Sequence, residues 1–427
     1  MSRAQLEELQ LRRLRTVLAR VHGNVETYRR KFDEAGLAPA SVSSLEDLEA
    51  VPFTVKDDLR AAYPYGMFAA PLHDIVRVHS SSGTTGQITV VGYTANDISN
   101  WADLMARTIA CAGGTADDVV QVTYGYGLFT GGLGVHYGSE RLGAVTVPIS
   151  GGMTKRQVQV MRDFGTTILA CTPSYALLLA ETAGEMGVDV RSLPLRAGIF
   201  GAEPWSENMR RQIERALDVK AIDIYGLSEV LGPGVASECL EQDGLHVNED
   251  HFLIEIVDPE TLEPVPDGER GEVVFTTLTK EGIPVIRYRT RDISRIVPGE
   301  CPCGRTFRRM ERVTGRTDDM LIVRGVNVFP SQIEQVLAGI PGVAPHYQVI
   351  LSKRGAMDHV EVHVEVVPDT DFDEIRELET LRRKVASEIQ AALAVNLDVK
   401  LVEPKSIERS QGKAKRVVDA RSEQGGV

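Results

Sequence analysis

A run of hydroxyl and glycine residues, Ser80-Ser81-Ser82-Gly83-Thr84-Thr85-Gly86, is the strongest chemical signal in the sequence. Glycines let the backbone approach a ligand closely, and the hydroxyl and amide groups can donate hydrogen bonds to phosphate oxygens. No Gly-Lys-Ser/Thr follows at the spacing of a Walker A loop, so that nucleotide-binding motif is excluded. Taken alone, the run is equally consistent with a solvated surface loop.

Two further polar segments follow short apolar runs that are typical of buried strands. They are Gly201-Ala202-Glu203-Pro204 and Tyr225-Gly226-Leu227-Ser228-Glu229. Open parallel sheets bind ligands at the carboxyl ends of their strands, and a carboxylate such as Glu229 can hold Mg²⁺ on a nucleotide there. Each segment taken alone is also consistent with an ordinary turn.

The glycines near Tyr126 do not form a dinucleotide-binding fingerprint. Gly125-Tyr126-Gly127 is followed by Thr130 where the third glycine should be, and Gly132-Leu133-Gly134 is followed by Tyr137. We therefore exclude a Rossmann-type NAD site.

Three charged segments lie further along the chain: Tyr288-Arg289-Thr290-Arg291-Asp292, Gly315-Arg316-Thr317-Asp318-Asp319 and Ser410-Gln411-Gly412-Lys413-Ala414-Lys415-Arg416. The Gly-Lys step in the last of these, within a basic and glycine-containing stretch, favours a mobile lid over a buried core. The alternative is a solvated tail, which is the usual state of a charged run.

Four potential metal ligands fall in one predicted β-rich region. Cys301-Pro302-Cys303-Gly304 is a knuckle-like turn, and Cys239 and His246 precede it. Three cysteines and one histidine are a common structural zinc set, so we predict a zinc site. The alternative is unpaired cysteines in surface turns. Cys111 and Cys171 lie in apolar contexts and are predicted to be core residues.

The elements that must position these residues are predicted from hydrophobic periodicity. Helical spacing predicts helices over residues 4–35 and 94–112, the second capped by Thr94 or Asn96. Short apolar runs then alternate with amphipathic segments, which indicates a parallel, doubly wound sheet. The predicted strands cover residues 119–123, 144–149, 167–172, 196–200 and 221–225. The predicted helices cover residues 154–164, 174–186 and 206–217.

After Gly226 the helical pattern stops, and turn signals such as Asp267-Gly268 separate predicted strands. These strands, over residues 252–257, 272–277, 285–288 and 293–297, predict an antiparallel, barrel-like region. The remaining residues predict a small separate domain with a helix over 331–338, strands over 346–351, 358–367 and 399–402, and a long helix over 372–393. We therefore predict domains of residues 1–318 and 319–427.

The composition of the 427 residues excludes several classes of protein. Lys and Arg number 47 and Asp and Glu number 60, so the formal net charge is −13 and nucleic acid is not an expected partner. Five cysteines are too few for a disulfide scaffold. No apolar run reaches the ~18 residues of a membrane span, and the first residues lack a signal-peptide core. We expect a cytoplasmic protein that has no membrane partner.

Together and in this order, these segments resemble the acyl-adenylate-forming superfamily of acyl-CoA synthetases and adenylation domains, and more closely its phenylacetate–CoA ligase branch. The resemblance rests on SSSGTTG followed by VVGYT, YGYGLFTGG, FGAEPW, YGLSE, IPVIRYRTRD, GRTDDMLIVRGVNVFPSQIE and GKAKRV. It implies an α/β fold. A large N-terminal domain would combine a doubly wound, mostly parallel sheet with an antiparallel barrel-like region, and a small mobile α+β domain would follow.

The resemblance also implies how the nucleotide is bound. The phosphates of ATP would lie against Ser80, Ser81, Ser82, Gly83, Thr84, Thr85 and Gly86. The adenine would lie against Gly201, Ala202, Glu203, Tyr225 and Gly226, with the Tyr225 ring stacked on the base. Asp292 and Arg316 would bind the ribose hydroxyls, and Glu229 would hold Mg²⁺.

Other implied roles concern catalysis and domain movement. Thr84, Glu229 and Lys413 would be catalytic, with Lys413 touching carboxylate and phosphate oxygens. Lys415 is the rival lysine, but only Lys413 directly follows a glycine. Asp318 would be the hinge, and Gly325 would border the thiol tunnel after the small domain rotates. The phosphate loop departs from this branch, because Gln87-Ile88 stands where Lys-Pro is usual.

The implied activity is ATP-dependent activation of an aryl carboxylic acid, phenylacetate or an analogue, followed by transfer to coenzyme A. The aryl preference rests on Tyr124 and Phe129, which the resemblance puts against the acyl group, although Tyr124 is equally consistent with core packing. Two alternatives stay open: transfer to a carrier-protein thiol, and a non-catalytic binding module stabilised by zinc. A homodimer is also left open.

Overall fold

A computed structural model describes residues 1–81, 88–313, 315–317, 321–323, 326–354, 357–368, 370, 375–393, 395–410 and 414–420. The predicted site residues from Ser82 to Gly86, together with Asp318, Gly325 and Lys413, lie outside the described residues.

The N-terminal region forms two helices, α1 (Arg3–Asn24) and α2 (Glu26–Glu34), where the sequence predicts one. Ser2 caps α1 in a capping box with Gln5. Val25 is extended, with φ −118° and ψ 113°, so α1 ends there and α2 begins after it. The predicted single helix is interrupted at Val25 because this β-branched residue is buried in the core in an extended conformation. Hydrophobic periodicity alone does not reveal such a break.

An antiparallel pair of strands carries the two ends of the predicted phosphate loop. Helix α3 (Lys56–Ala61) precedes β1 (Ile75–Ser80), and β2 (Val90–Thr94) leads into helix α4 (Ala95–Cys111). Strand β1 pairs with β2 between Ser80 and Val90. Thr94 caps α4 in a capping box with Asp97, so of the two predicted capping residues, Thr94 and Asn96, the first is confirmed.

Five parallel strands alternate with helices and confirm the predicted doubly wound sheet. The strands are β3 (Val119–Val122), β4 (Val145–Val147), β5 (Ile168–Cys171), β6 (Ala197–Gly201) and β7 (Lys220–Leu227). The helices are α5 (Gly131–Leu142), α6 (Thr154–Asp163), α7 (Pro173–Glu185) and α8 (Glu207–Leu217). The parallel order is β7-β6-β5-β3-β4, so the carboxyl ends of β3, β6 and β7 lie at one edge.

The sequence pattern does not predict helix α5, because this segment is rich in glycine, which is a poor helix former. Its glycines allow close packing on α4. A Cβ on Gly138 would lie 2.3 Å from the Met105 Cβ, and a Cβ on Gly134 would lie 2.8 Å from the Trp101 ring. Tertiary packing against α4 therefore outweighs the low intrinsic propensity of this segment.

The antiparallel region is divided between two sheets. Its strands are β8 (Gly232–Glu238), β9 (Leu245–Val247), β10 (Phe252–Val257), β11 (Gly271–Thr277), β12 (Tyr288–Ser294), β13 (Ile296–Val297), β14 (Arg309–Met310) and β15 (Gly315–Arg316). Strands β8, β9, β14 and β13 extend the parallel sheet to nine strands, whereas β10, β11, β12 and β15 form a second sheet. The sequence predicts these strands as one barrel-like region, whereas the structure divides them between two sheets. The reason is that β8 folds back and pairs antiparallel with β7.

The C-terminal region has its own sheet and its own buried core. Its elements are β16 (Leu321–Val323), β17 (Val326–Val328), α9 (Pro330–Leu337), β18 (Val343–Arg354), β19 (Met357–Val366), α10 (Ile375–Leu393), β20 (Asp398–Val402) and β21 (Val417–Asp419). The four-stranded sheet has the order β20-β19-β18-β21. A separate apolar cluster that includes Val349, Val362 and Ile389 supports the predicted small α+β domain. The boundary at Asp318 stays a prediction.

Among the described residues, no helix is long and apolar enough to cross a membrane.

Candidate active site

Three predicted site segments meet at the carboxyl edge of the parallel strands. The loop of residues 124–130, which we call the aromatic loop, follows β3 and contacts the start of the phosphate loop, because the Ser80 amide donates to the Leu128 carbonyl at 3.0 Å. The Thr130 hydroxyl lies 3.2 Å from the Ser228 hydroxyl, next to Glu229. The sheet topology thus brings together segments that are remote in sequence.

The two ends of the phosphate loop are closed by hydrogen bonds. The Ser81 amide donates to the Thr89 carbonyl at 3.0 Å, and the Thr89 amide donates to the Ser81 hydroxyl at 3.1 Å. Ser80 and Thr89 are both buried. The loop therefore begins and ends at one fixed point at the edge of the site.

Glu229 lies directly beside that fixed point. Its Oε1 accepts a hydrogen bond from the Thr89 hydroxyl at 3.2 Å, and the Lys56 ammonium lies 3.4 Å from the same oxygen. Glu229 is buried, and a carboxylate oxygen is the kind of ligand that Mg²⁺ prefers. The metal role of Glu229 stays a prediction.

Lys280 is a buried cation near Glu229 that the sequence analysis missed. Its ammonium has no hydrogen-bond partner among the described residues and lies 4.7 Å from the centre of the Tyr93 ring. Burial lowers the pKa of Lys280 to about 8, although the carboxylates of Asp97 and Glu229 oppose this shift. The signal in the sequence is a lysine in the loop after β11, which ends at Thr277, and this signal is weak by itself.

The Asp292 carboxylate accepts hydrogen bonds from Tyr225 and Arg316, two residues that are predicted to bind the same nucleotide. The Tyr225 hydroxyl donates to Asp292 Oδ2 at 2.6 Å, and Arg316 Nη1 donates to Asp292 Oδ1 at 2.7 Å. Burial, and then the Asp292 carboxylate, raise the pKa of the Tyr225 hydroxyl, which keeps this proton on the tyrosine. The carboxylate is thereby oriented at the junction of the two sheets.

Gly201, Ala202 and Glu203 form a tight turn after β6. A Cβ on Gly201 would lie 2.5 Å from the Ile224 carbonyl oxygen, and Ala202 has a left-handed φ of 72°. Glu203 accepts hydrogen bonds from the Ser174 amide at 2.7 Å and from the Ala414 amide at 2.8 Å. The chain therefore passes the end of β6 at Ala414, which follows Lys413 in the sequence.

The C-terminal region docks on the sheet through further polar contacts. Glu334 on α9 accepts a hydrogen bond from the amide of Ser206, the N-cap residue of α8, at 3.0 Å. His346 lies 3.1 Å from Glu181 on α7. These contacts hold the C-terminal region against α7 and the start of α8.

The two predicted acyl-pocket residues differ in their burial. Tyr124 is 3% exposed and belongs to the main hydrophobic core. Burial raises the pKa of its hydroxyl, and the nearby backbone of Gly201 opposes the shift. Phe129 is half-buried, and its ring packs against Gly131, where a Cβ would lie 2.5 Å from the ring. Phe129 is therefore the more accessible of the two rings.

A second candidate site lies in the antiparallel region, outside the active site. The ligand atoms of Cys239, His246, Cys301 and Cys303 all lie within 4.8 Å of one another. Cys239 Sγ is 3.7 Å from Cys301 Sγ, and Cys303 Sγ is 3.4 Å from His246 Nε2. Sulfur ligands at about 2.3 Å from a tetrahedral zinc are about 3.8 Å apart, so these spacings fit such a metal.

Burial lowers the pKa of His246 to about 4, which keeps the imidazole in the neutral form that binds metal ions. Cys111 and Cys171 are buried and lie outside the cluster, as predicted for core residues.

Comparison with protein-family models gives two matches. Residues 9–278 match the model described as "AMP-binding enzyme", and residues 325–421 match the model described as "AMP-binding enzyme C-terminal domain".

Two curated relatives match almost the whole chain. A phenylacetate-coenzyme A ligase of Escherichia coli is 51% identical over 420 residues, which cover 98% of this chain and 95% of the relative. A phenylacetate-coenzyme A ligase of Thermus thermophilus is 48% identical over 433 residues, which cover 98% of this chain and 97% of the relative.

Solved structures of a 2-hydroxyisobutyryl-CoA ligase also match. Its postadenylation state, in complex with R3-HIB-AMP, gives a TM-score of 0.93 at 32% identity and covers 99% of this chain and 91% of that chain. Its thioesterification state, in complex with 2-HIB-AMP and CoA, gives a TM-score of 0.73 at 34% identity with the same coverage. The arrangement of this chain is therefore more similar to the postadenylation state.

Proposed function

This chain belongs to the AMP-binding enzyme family, with phenylacetate-coenzyme A ligases as full-length relatives, and we propose that it activates phenylacetate or a close aryl analogue. The acid would be converted to an acyl-adenylate with ATP and then transferred to coenzyme A. The observation that supports this most directly is the convergence of Glu229, the Tyr225–Asp292–Arg316 contacts and the closed ends of the phosphate loop at one edge of the sheet.

In the first half-reaction, an oxygen of the substrate carboxylate attacks the α-phosphorus of ATP. The bond from that phosphorus to the oxygen bridging to the β-phosphate breaks, and pyrophosphate leaves. Glu229 would hold Mg²⁺, which would offset the charge of the phosphates. Donors of the phosphate loop from Ser80 to Gly86, including Thr84, would bind the same oxygens.

Asp292 would fix the nucleoside by accepting hydrogen bonds from the ribose hydroxyls. Its orientation by Tyr225 and Arg316 supports this role, because a carboxylate held at both oxygens loses less entropy on binding. The Tyr225 ring and the turn from Gly201 to Glu203 would bind the adenine. The left-handed φ of Ala202 and the crowding at Gly201 support this role, because they would let the backbone approach a flat ligand.

In the second half-reaction, the thiol sulfur of coenzyme A attacks the carbonyl carbon of the acyl-adenylate, loses its proton, and AMP leaves. The two half-reactions would use different faces of the small domain, which would turn about Asp318. Lys413 would serve adenylation, and the contact of its neighbour Ala414 with Glu203 supports this. Gly325 would border the thiol path after rotation.

The aryl preference would come from the aromatic loop. Phe129 is half-buried and so is available to contact an acyl group, whereas Tyr124 would form the wall behind it. An aromatic substrate would gain edge-to-face contacts of about 0.5–1.5 kcal/mol beyond its area burial.

We further propose that Cys239, His246, Cys301 and Cys303 hold a structural zinc ion. Thiolate and imidazole ligands suit Zn²⁺, and four protein ligands with no open position are typical of structural sites. We expect the enzyme to work in the cytoplasm, because it would need ATP and coenzyme A. A homodimer stays a prediction.

The test is a panel of acids that contains phenylacetate, benzoate and octanoate, with ATP, Mg²⁺ and coenzyme A. Pyrophosphate and thioester are measured separately. We expect both products from phenylacetate. Pyrophosphate without thioester would favour a carrier-protein thiol as the acceptor. Absence of both products with every acid would contradict the proposal and favour a non-catalytic binding module.

A further inference from the structure

Lys56 lies at the first helical position of α3, and its side chain reaches the active site. Its ammonium is 3.4 Å from Glu229 Oε1, with the lysine side chain 38% exposed and the carboxylate 7% exposed. The backbone nearby is anchored, because the Thr54 amide donates to the Arg287 carbonyl at 3.0 Å and the Val55 amide donates to Asp58 at 2.8 Å. A flexible, partly exposed side chain thus extends from a fixed backbone position.

Lys56 is also connected to the base of the phosphate loop. Glu229 Oε1 contacts both the Lys56 ammonium and the Thr89 hydroxyl, and Thr89 is hydrogen-bonded to Ser81. The ammonium is therefore linked through Glu229 to Thr89, at the end of the loop, and through Thr89 to Ser81, at its beginning. The triphosphate of a bound nucleotide would approach this region.

The contact between Lys56 and Glu229 conflicts with the metal role of that carboxylate. A divalent cation and an ammonium on the same oxygen would repel each other at close range. Because Lys280 is a second, fully buried cation near Glu229, the local positive charge is already high. The exposed ammonium is the one that can move, so binding of the metal would release it toward anionic groups nearby.

We propose that Lys56 is a further catalytic residue of the adenylation half-reaction. With no nucleotide bound, its ammonium neutralises Glu229. When ATP and Mg²⁺ bind, the ammonium moves to the oxygens of the β- and γ-phosphates. There it stabilises the negative charge that builds up on pyrophosphate as the bond between the α-phosphorus and the bridging oxygen breaks. This inference rests on the proposed function.

The experiment compares Lys56→Met with the wild type in separate half-reactions. We expect the rate of pyrophosphate release to fall about 100-fold, as when one charge-stabilising donor is lost. Thioester formation from a supplied acyl-adenylate and coenzyme A should stay within about threefold. Lys31→Met is the matched control, because Lys31 is also ion-paired with a carboxylate, Asp58, but does not contact Glu229. At a temperature below the melting temperature of Lys31→Met, its rate of pyrophosphate release should stay within about threefold of the wild-type rate.

A further measurement separates a direct role from a merely structural one. Calorimetric titration without any acid should show about tenfold weaker binding of ATP to Lys56→Met but unchanged binding of AMP, which lacks the outer phosphates.

Pyrophosphate release within about threefold of the wild type, equal losses in both half-reactions, or equal losses of ATP and AMP affinity would each overturn the proposal. The titrations need no acid substrate. They therefore decide the role of Lys56 even if the acid panel refutes phenylacetate as the substrate.

Discussion

The Tyr225 hydroxyl donates a hydrogen bond to the Asp292 carboxylate at 2.6 Å and so joins the end of the last parallel strand to the second sheet. The contact links β7 with β12 across the region where the nucleotide is proposed to bind. It orients a carboxylate that Arg316 also contacts, and the ribose would meet a group that is already fixed.

Asp292→Asn should raise the KM for ATP at least about tenfold with a smaller effect on kcat, because hydrogen bonds to a charged acceptor contribute about 1.5–3 kcal/mol. Tyr225→Phe removes the orienting hydroxyl but keeps the carboxylate, so it should raise that KM by less than about fivefold. Steady-state kinetics with varied ATP measure both values. An unchanged KM in Asp292→Asn would contradict the ribose assignment.

Lys413→Ala should abolish adenylation and leave thioester formation from a supplied acyl-adenylate largely intact. The reason is that the lysine would neutralise charge between two anionic reactants only in the first half-reaction. Release of pyrophosphate and formation of thioester are followed separately. Lys415→Ala is the control and should keep both rates. A Lys413→Ala variant that releases pyrophosphate at near the wild-type rate would refute the assignment.

Purified protein should contain about one zinc ion per chain, because four soft ligands lie within 4.8 Å of one another. Cys301→Ser should lower both the zinc content and the melting temperature, since binding of a structural metal adds to folding free energy. Elemental analysis and thermal unfolding measure the two effects.

Cys171→Ala is the matched control for the metal site, because Cys171 is a buried cysteine on β5 outside the cluster. It should lose some stability through the cavity it leaves and keep its zinc. Protein purified without chelator that contains no zinc would remove this claim and leave the ligase proposal intact.

Phenylacetate should be preferred over octanoate by at least about tenfold in kcat/KM, which corresponds to about 1.4 kcal/mol. Phe129→Ala should narrow this difference, chiefly by raising the KM for the aryl acid, because the half-buried ring is the accessible one. Kinetics with the two acids test the claim. Equal competition by octanoate in the wild type would refute the aryl preference and leave only the acid–CoA ligase class.

Asp223→Asn should stabilise the protein in a pH-dependent way. Burial, together with the neighbouring Glu238 carboxylate, raises the pKa of Asp223 from 3.8 to about 7. A raised folded-state pKa gives stability that is fully present below the unfolded value and is lost as pH rises through the folded value. The gain in melting temperature from Asp223→Asn should therefore grow between about pH 4 and 7 and then level off. Thermal unfolding at about pH 5 and about pH 8 measures it.

The exposed residue Asp117 provides the control, and Asp117→Asn should show no such growth. A gain of equal size at both pH values for Asp223→Asn would mean that the carboxyl group does not titrate in this range.

Much of the parallel sheet could be predicted, because each of its strands is a short apolar run next to an amphipathic helix. Local periodicity reports such elements directly. The break at Val25 and helix α5 could not be predicted in this way. Both depend on what the segment packs against: Val25 is extended in the core, and Gly134 and Gly138 lie where side chains would collide with Trp101 and Met105.

The sequence by itself determined the order of the motifs, the hydroxyl-rich segment from Ser80 to Gly86, the two carboxylates Glu229 and Asp292, and the set of three cysteines and one histidine that could bind a metal ion. These follow from residue types and short spacings, which one chain displays without folding. Only the tertiary structure decided that Lys56 lies at Glu229, that Tyr225 and Arg316 orient Asp292, and that the antiparallel strands divide between two sheets. Such contacts join residues remote in the chain, and they depend on strand pairing and packing that no local pattern specifies.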